Sequence, residues 1–198
     1  MSHGHVHESS AGASNRVKAL VAALEAARVL TERELDAAVE SFLMHAQPAN
    51  GARIVARAWV DDTFRTRLLA DGNAAVAELG IDLAHWAPVK LRVVANEPRR
   101  HNLIVCTLCS CYPLALLGPS PTWYKSEAYR SRAVRDPRGV LAEFGTQLGD
   151  DVAITVWDST AELRYLVVPM RPPGTEGASE AQLAALVTRN GLIGTALV

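Results

Sequence analysis

The chain has 198 residues, with 20 basic and 21 acidic side chains and a formal net charge of −1. It therefore lacks the basic excess of proteins that bind nucleic acids or anionic membranes. No apolar run reaches the roughly 20 residues of a membrane-spanning helix, and the polar N-terminus does not resemble a signal peptide. An odd number of cysteines, three, without a secretory signal predicts a reducing, cytoplasmic location and no disulfide framework.

The sequence pattern divides the chain into three parts. Residues 1–13 are small and polar and are predicted to form a disordered tail with three alternating histidines, His3, His5 and His7. Residues 14–80 are predicted to form a helical arm, because apolar residues recur at helical spacing among many alanines. Residues 81–198 mix strands with short helices and are predicted to form a separate α+β domain. The predicted fold class is α+β.

Local signals mark several helix ends. Thr31 and Glu34 have the spacing of a capping box at the start of the second helix. Gly80 is predicted to end the last helix of the arm, because glycine readily adopts the left-handed conformation that follows many helices. Ser179 and Gln182 predict a second capping box near the C-terminus.

Four strands are predicted after Pro88. Residues 91–95 and 102–105 form the first pair, and residues 153–158 and 162–168 form the second. Because only a short connection joins the members of each pair, both pairs are predicted to be hairpins.

All three cysteines fall within one hexapeptide, Cys-Thr-Leu-Cys-Ser-Cys, at positions 106 to 111. A disulfide within it has poor geometry, and zinc sites and iron–sulfur clusters usually take four ligands. A catalytic cysteine needs a histidine base, but no histidine follows His101. The residues alone leave these roles open, together with that of incidental thiols.

A further possibility uses the backbone. The sulfur atoms of Cys109 and Cys111 and the amide nitrogens of Ser110 and Cys111 have the spacing to surround one metal ion in a plane. Cys106 then takes an axial position, and the sixth position stays open for water or substrate. Only a strongly Lewis-acidic metal, such as low-spin trivalent cobalt or iron, stabilises deprotonated amides in this way.

The segment 105–113, Val-Cys-Thr-Leu-Cys-Ser-Cys-Tyr-Pro, resembles the metal motif of the nitrile hydratase alpha subunit. The resemblance covers most of the chain from about residue 15 onwards. It includes the following segments: 51–59, 67–71, 121–126, 129–135, 137–145, 156–160, 171–175 and 182–189.

The resemblance implies a four-layer α-β-β-α domain after the helical arm, and a non-corrin cobalt(III) centre. Thr107 favours cobalt over iron(III). Cys106 corresponds to an unmodified thiolate ligand, Cys109 to a cysteine sulfinic acid and Cys111 to a cysteine sulfenic acid, with amide ligands from Ser110 and Cys111. The implied enzyme is a lyase that hydrates a nitrile to the amide. The Cys111 oxygen or a metal-activated water attacks the nitrile carbon.

The resemblance also implies partners. The family's beta subunit supplies two arginines to the oxidised sulfurs, so we expect an αβ heterodimer or heterotetramer. We also expect an activator or metallochaperone to load the metal. Within this chain, four arginines after the cysteines are predicted to form interface ion pairs: Arg130, Arg132, Arg135 and Arg138. Trp123 and Tyr124 are predicted to pack against the cysteine-containing loop. The other three tryptophans are predicted to lie in the core or in an interface: Trp59, Trp86 and Trp157.

One position departs from the family pattern. Leu114 stands where nitrile hydratases usually have Trp, which predicts a differently shaped substrate pocket and a bulkier nitrile. The gamma subunit of thiocyanate hydrolase is also similar and lacks this Trp, so hydrolysis of thiocyanate to carbonyl sulfide and ammonia is the alternative function. A non-catalytic cobalt-carrying subunit is a third hypothesis.

Overall fold

The computed structural model describes residues 10–83 and 89–198. The predictions for the histidine-containing tail up to residue 9 and for Trp86 lie outside these residues. In the described part, no helix is long and apolar enough to cross a membrane. The described elements are, in chain order, α1 (Ser10–Ala26), α2 (Glu32–His45), α3 (Pro48–Val60), α4 (Asp62–Ala70), α5 (Gly72–Glu78), β1 (Lys90–Ala95), β2 (Arg100–Val105), α6 (Leu114–Leu117), α7 (Thr122–Lys125), α8 (Glu127–Arg132), α9 (Pro137–Glu143), β3 (Ala153–Asp158), β4 (Leu163–Val168), α10 (Glu180–Leu186) and α11 (Arg189–Ile193).

The first compact unit covers residues 1–44 and contains α1 and most of α2. The Thr31 N–H donates to Glu34 Oε2 at 2.7 Å, and the Glu34 N–H donates to Thr31 Oγ1 at 3.2 Å, which confirms the capping box. Helix α2 has no buried residue. Several apolar side chains of the two helices are exposed: Val17, Leu20, Val39, Leu43 and Met44.

The second compact unit covers residues 45–198 and contains two parallel two-stranded sheets. Strand β1 pairs with β4, and β2 pairs with β3. Both predicted hairpins are therefore wrong, because each short connection carries the chain from one sheet to the other. Five of the six β2 residues are buried. Such continuous burial is typical of strands covered on both faces, whereas a hairpin with one solvated face shows alternation.

The two sheets lie between helices, which confirms the α+β class and the four-layer arrangement. Helices α3, α4, α5 and α11 pack on the β1–β4 sheet, and α10 packs on α3. On the other side α9 packs on β3, and α8 is tied to β2 by the Tyr129 hydroxyl, which donates to the Ile104 carbonyl oxygen at 2.5 Å. Strands β2 and β4 contribute fully buried apolar side chains to the core: Leu103, Ile104, Val105, Leu166 and Val167.

The predicted helix signals in this unit are also confirmed. Gly80 follows α5 with φ +71°, in the left-handed region that favours glycine. Ser179 caps α10: its hydroxyl accepts from the Gln182 N–H at 3.3 Å, and its own N–H donates to Gln182 Oε1 at 2.9 Å. Helix ends are thus encoded by residues close in sequence.

A buried polar network ties the two sheets together at the start of β2. His101 Nε2 lies 2.7 Å from the Gly194 carbonyl oxygen, and His101 Nδ1 lies 3.3 Å from Asn96 Nδ2. The Asn102 N–H donates to Asn96 Oδ1 at 2.8 Å, and Trp157 Nε1 donates to Asn102 Oδ1 at 2.9 Å. Polar groups that lose water here therefore gain protein partners.

Candidate metal centre

The three cysteines lie in the cysteine loop, residues 106–111, which follows β2 directly. Cys106 is buried, Cys111 is half-buried and Cys109 is exposed. The Sγ atom of Cys109 lies 3.4 Å from that of Cys106 and 3.1 Å from that of Cys111. All three sulfur atoms lie within 4.8 Å of one another, close enough to share one metal ion.

Backbone amides of the loop face the same sulfur atoms. The Cys109 N–H donates to Cys106 Sγ at 3.3 Å. Hydrogen bonds from the thiols of Cys111 and Cys106, together with weaker ones from the amides of Ser110 and Cys111, lower the pKa of Cys109 to about 7. Burial and the hydrogen bond with the Cys109 side chain raise the pKa of Cys111 to about 12. In the metal-free loop, Cys109 is therefore the first of these two thiols to ionise.

Asp158 holds one side of the loop. The parallel pairing of β2 and β3 sets Val105 opposite Asp158, so this carboxylate lies beside the residues that follow β2. Asp158 accepts from the Thr107 N–H at 2.9 Å and from Thr107 Oγ1 at 2.5 Å. The next residue, Ser159, donates its N–H to the Val105 carbonyl oxygen at 2.8 Å.

Arg130 and Tyr124 hold other parts of the loop. Arg130 Nη2 donates to the carbonyl oxygens of Thr107 and Leu108 at 3.0 and 3.3 Å. The Tyr124 hydroxyl donates to the Cys111 carbonyl oxygen at 3.0 Å, which confirms that this aromatic residue packs against the cysteines. Burial raises the pKa of Tyr124 well above its ordinary range, so the hydroxyl remains a donor.

The arginines predicted to form interface ion pairs make contacts within the described part of the chain. Arg132 pairs with Glu143 at 2.7 Å on the surface. Arg138 donates to the Val152 carbonyl oxygen at 2.7 Å, and Arg135 donates to a carbonyl of its own helical segment. Among these four side chains, only Arg130 contacts the cysteine loop. Sequence reasoning missed Arg130 and Asp158 as loop contacts, because both depend on pairing between distant segments.

A small cavity of about 120 Å³ lies beside the C-terminal end of the loop. Its wall is mostly apolar and contains Leu114, the residue that departs from the family pattern. Arg164 of β4 lines the same cavity, and its positive charge favours the thiolate form of Cys111. The lining residues are Leu83, Val89, Leu91, Tyr112, Pro113, Leu114, Ala115 and Arg164.

The donor set fits a metal ion that binds sulfur and backbone nitrogen. In the described part of the chain, no fourth cysteine, histidine or carboxylate joins the three cysteines, so the usual four-ligand zinc site is incomplete. The amide nitrogens of Ser110 and Cys111 lie between the sulfur-bearing side chains of Cys109 and Cys111 along the chain. Since Cys109 is exposed, a metal at this position lies near the protein surface.

Comparisons with known proteins agree with this arrangement. The family described as nitrile hydratase, alpha chain, matches residues 11–196. The alpha subunit of the low-molecular weight cobalt-containing nitrile hydratase of Rhodococcus rhodochrous is 50% identical over 182 residues, which cover 92% of this chain and 87% of that protein. The gamma subunit of thiocyanate hydrolase from Thiobacillus thioparus is 46% identical over 159 residues, 76% of this chain and 65% of that one.

A solved structure is similar as well. A double mutant of the Fe-type nitrile hydratase from Comamonas testosteroni Ni1 superposes with a TM-score of 0.90 and is 42% identical. The superposition covers 96% of this chain and 92% of the other. Sequence and fold thus point to the same relatives.

Proposed function

Because this chain belongs to the nitrile hydratase alpha-chain family, we propose that it is the metal-bearing subunit of an enzyme that hydrates nitriles to amides. The observation that carries the proposal is the approach of the three sulfur atoms to within 4.8 Å of one another, in a loop that exposes Cys109. These atoms belong to the hexapeptide that marks the family resemblance.

The proposed ligands are the sulfur atoms of Cys106, Cys109 and Cys111 and the amide nitrogens of Ser110 and Cys111. The close approach of the three sulfur atoms supports this set, and the cobalt-containing relative supports cobalt(III) as the metal. In this proposal Cys109 is oxidised to a sulfinic acid and Cys111 to a sulfenic acid. Bound there, the ion supplies a Lewis acid that draws electron density from a nitrile carbon.

Cys111 and the apolar side chains of the cavity have different roles in the proposed reaction. In our proposal the Cys111 sulfenate oxygen adds to the nitrile carbon, and the nitrile nitrogen takes a proton. Water then adds to the same carbon, the bond from this carbon to the sulfenate oxygen breaks, and the second water proton ends on the amide nitrogen. The sulfenate is regenerated, and the net reaction adds one water across the triple bond. The apolar wall around Leu114 and Leu91 binds the hydrocarbon part of the nitrile. Because Leu is smaller than Trp, we propose that this wall accepts a bulkier nitrile.

Membership in a subunit family implies a partner chain. We propose a beta subunit as this partner, in an αβ heterodimer or heterotetramer, and an activator protein that loads the metal. Two features support a protein-covered surface: the exposed apolar side chains of α1 and α2, and Leu108 in the cysteine loop, which is 83% exposed. The cytoplasmic location remains a prediction of the sequence.

Mass spectrometry of the cobalt-loaded chain tests the proposal. Trypsin releases residues 101–125 as one peptide that contains every cysteine. We expect two added oxygen atoms on Cys109, one on Cys111 and none on Cys106. Three unmodified thiols that react with iodoacetamide in cobalt-loaded, active enzyme contradict the proposed roles of Cys109 and Cys111.

One observation favours thiocyanate hydrolysis as the second candidate. Arg164 gives the cavity beside Leu114 a positive charge, which suits an anionic substrate. The assembled enzyme should therefore be assayed with an aromatic nitrile and with thiocyanate in parallel. Amide formation supports the first function, and release of carbonyl sulfide and ammonia supports the second. Exchangeable cobalt and unoxidised cysteines, without either activity, point to the non-catalytic cobalt-carrying subunit.

A further inference from the structure

We infer that Arg130 is a positioning residue that keeps the first half of the cysteine loop in the conformation that captures the metal. The inference rests on the proposed function, because it concerns the proposed metal ligands. Arg130 does not touch the sulfur atoms in any contact described above. It acts through the carbonyl oxygens of Thr107 and Leu108, at 3.0 and 3.3 Å from its Nη2.

These two carbonyls lie between the first two cysteines. Thr107 is fixed on its other side by Asp158, which accepts from both its N–H and its hydroxyl. The backbone from Cys106 to Cys109 is thus bound at consecutive peptide groups by side chains of opposite charge. This fixation lets the Cys109 N–H reach Cys106 Sγ at 3.3 Å and brings the two sulfur atoms to 3.4 Å.

The helix that carries Arg130 is itself fixed to the strand that precedes the loop. The neighbouring Tyr129 donates to the Ile104 carbonyl oxygen at 2.5 Å, and its ring packs against Trp123 with 4.9 Å between ring centroids. Helix α8 therefore has an anchor that does not depend on Arg130. Loss of the Arg130 side chain should free the loop without releasing the helix.

The state of the guanidinium group argues against a role in stability alone. Arg130 Nε is buried and has no hydrogen-bond acceptor among the described residues. A buried donor without an acceptor destabilises a fold, so the side chain is not placed for optimal hydrogen bonding. Its placement does bring a fixed positive charge next to the Thr107 and Leu108 carbonyl oxygens. The proposed three thiolates and two amidates of this loop carry more negative charge than a trivalent ion neutralises.

The test compares three variants of the full chain, produced with its partner subunit. Arg130→Met removes both hydrogen bonds to the loop, and Arg130→Lys keeps the charge but loses the planar guanidinium. Arg132→Met is the matched control, because Arg132 lies on the same helix and pairs with Glu143 instead of the loop. The affinity of the metal-free chain for cobalt(II) is measured by competition with a chelator, because low-spin cobalt(III) exchanges too slowly. Sulfur-to-cobalt charge transfer is measured in the loaded protein by absorption spectroscopy.

We expect Arg130→Met to weaken cobalt binding by about tenfold to a hundredfold, as is typical when the residues that orient metal ligands are replaced. Its charge-transfer bands should shift or weaken, a change that a merely structural role does not produce in the folded, loaded protein. Arg130→Lys should be intermediate and should keep the fold if Arg130→Met does not. Arg132→Met should match the unmodified chain.

A second measurement separates this inference from the proposed function. In the metal-free chain, freeing the loop should increase the rate at which iodoacetamide alkylates Cys106 in Arg130→Met but not in Arg132→Met. If the unmodified chain binds no cobalt, the proposed function fails, and the alkylation rates alone decide the role of Arg130. Unchanged affinity, absorption and alkylation in Arg130→Met overturn the inference, as does an equal loss in Arg132→Met.

Discussion

The two ends of β2 differ in how far their polar groups are buried and in which groups bind them. At the start of the strand, His101 and Asn102 are buried and bonded to other buried groups, so this end is a closed network. At the other end the chain enters the cysteine loop, where the charged side chains of Asp158 and Arg130 bind the backbone and the Cys109 side chain is exposed. One end therefore stabilises the fold, and the other presents the Cys109 sulfur at the surface.

The largest effect should follow from removing a ligand at the exposed end. We expect Cys109→Ser to weaken cobalt binding by more than the roughly 10- to 100-fold that ligand-orienting residues contribute. Because Cys109 is exposed, the free energy of unfolding of the metal-free chain should change by less than about 0.5 kcal/mol. Cobalt analysis and urea unfolding measure the two quantities. Retention of cobalt, or a large loss of stability, contradicts the division between the two ends.

The opposite result is expected at the closed end. Gly194 has φ +90°, and its carbonyl oxygen binds His101. In Gly194→Ala the new Cβ meets the Asn102 carbonyl oxygen, so steric overlap adds to the strain of the left-handed conformation. We expect a loss of about 2–4 kcal/mol in the free energy of unfolding.

Gly174→Ala is the matched control for this prediction. Gly174 has φ +78°, but nothing lies within 4 Å of an added Cβ. Its replacement should therefore cost only the backbone strain, about 1–2 kcal/mol. Urea unfolding of both metal-free variants gives the comparison. Equal losses of unfolding free energy in the two variants show that steric overlap with Asn102 does not contribute to the effect of Gly194→Ala.

Much of this arrangement is encoded locally and could be predicted. The capping boxes at Thr31 and Ser179, the left-handed Gly80 and the approximate extents of the strands all depend on residues close in sequence. The clustering of the cysteines is local as well. Their spacing alone left several metal and redox roles open, and the family resemblance was needed to choose among them.

The strand pairing and the loop contacts could not be predicted in the same way. A strand buried on both faces carries no alternation to reveal its partner, so the short connections favoured hairpins that do not form. Asp158 lies 51 positions from Thr107, and only the register of β2 with β3 brings them together. Arg130 was indistinguishable from its neighbouring arginines for the same reason.

A smaller loss of metal binding should follow from weakening the other side of the loop. Asp158→Asn keeps one acceptor oxygen but introduces an amide group where the carboxylate accepts from both Thr107 donors. We expect cobalt affinity to fall by about tenfold, measured by chelator competition. Asp151→Asn is the control, because Asp151 is exposed and makes a long ion pair with Arg99, with 4.0 Å between Oδ2 and Nε. Equal affinities in the two variants show that Asp158 does not position the loop.

The smallest effect concerns the pH dependence of the closed end. Burial lowers the pKa of His101, although its hydrogen bond to the Gly194 carbonyl opposes the shift. The unfolded chain should therefore take up a proton near pH 6.5, before the folded chain does. Stability from the neutral imidazole is complete above that pH and declines as the pH falls below it.

His101→Gln isolates this contribution, because Gln can still donate to the Gly194 carbonyl oxygen but does not titrate. The difference in unfolding free energy between the unmodified chain and the variant removes the effect of all other groups. From about pH 7.5 to about pH 5.5 it should decrease by up to about 1 kcal/mol in urea unfolding experiments. A difference that stays constant means that folding does not shift the pKa of His101, and one that increases on acidification means that the fold favours the protonated imidazole. Either result contradicts the closed network described above.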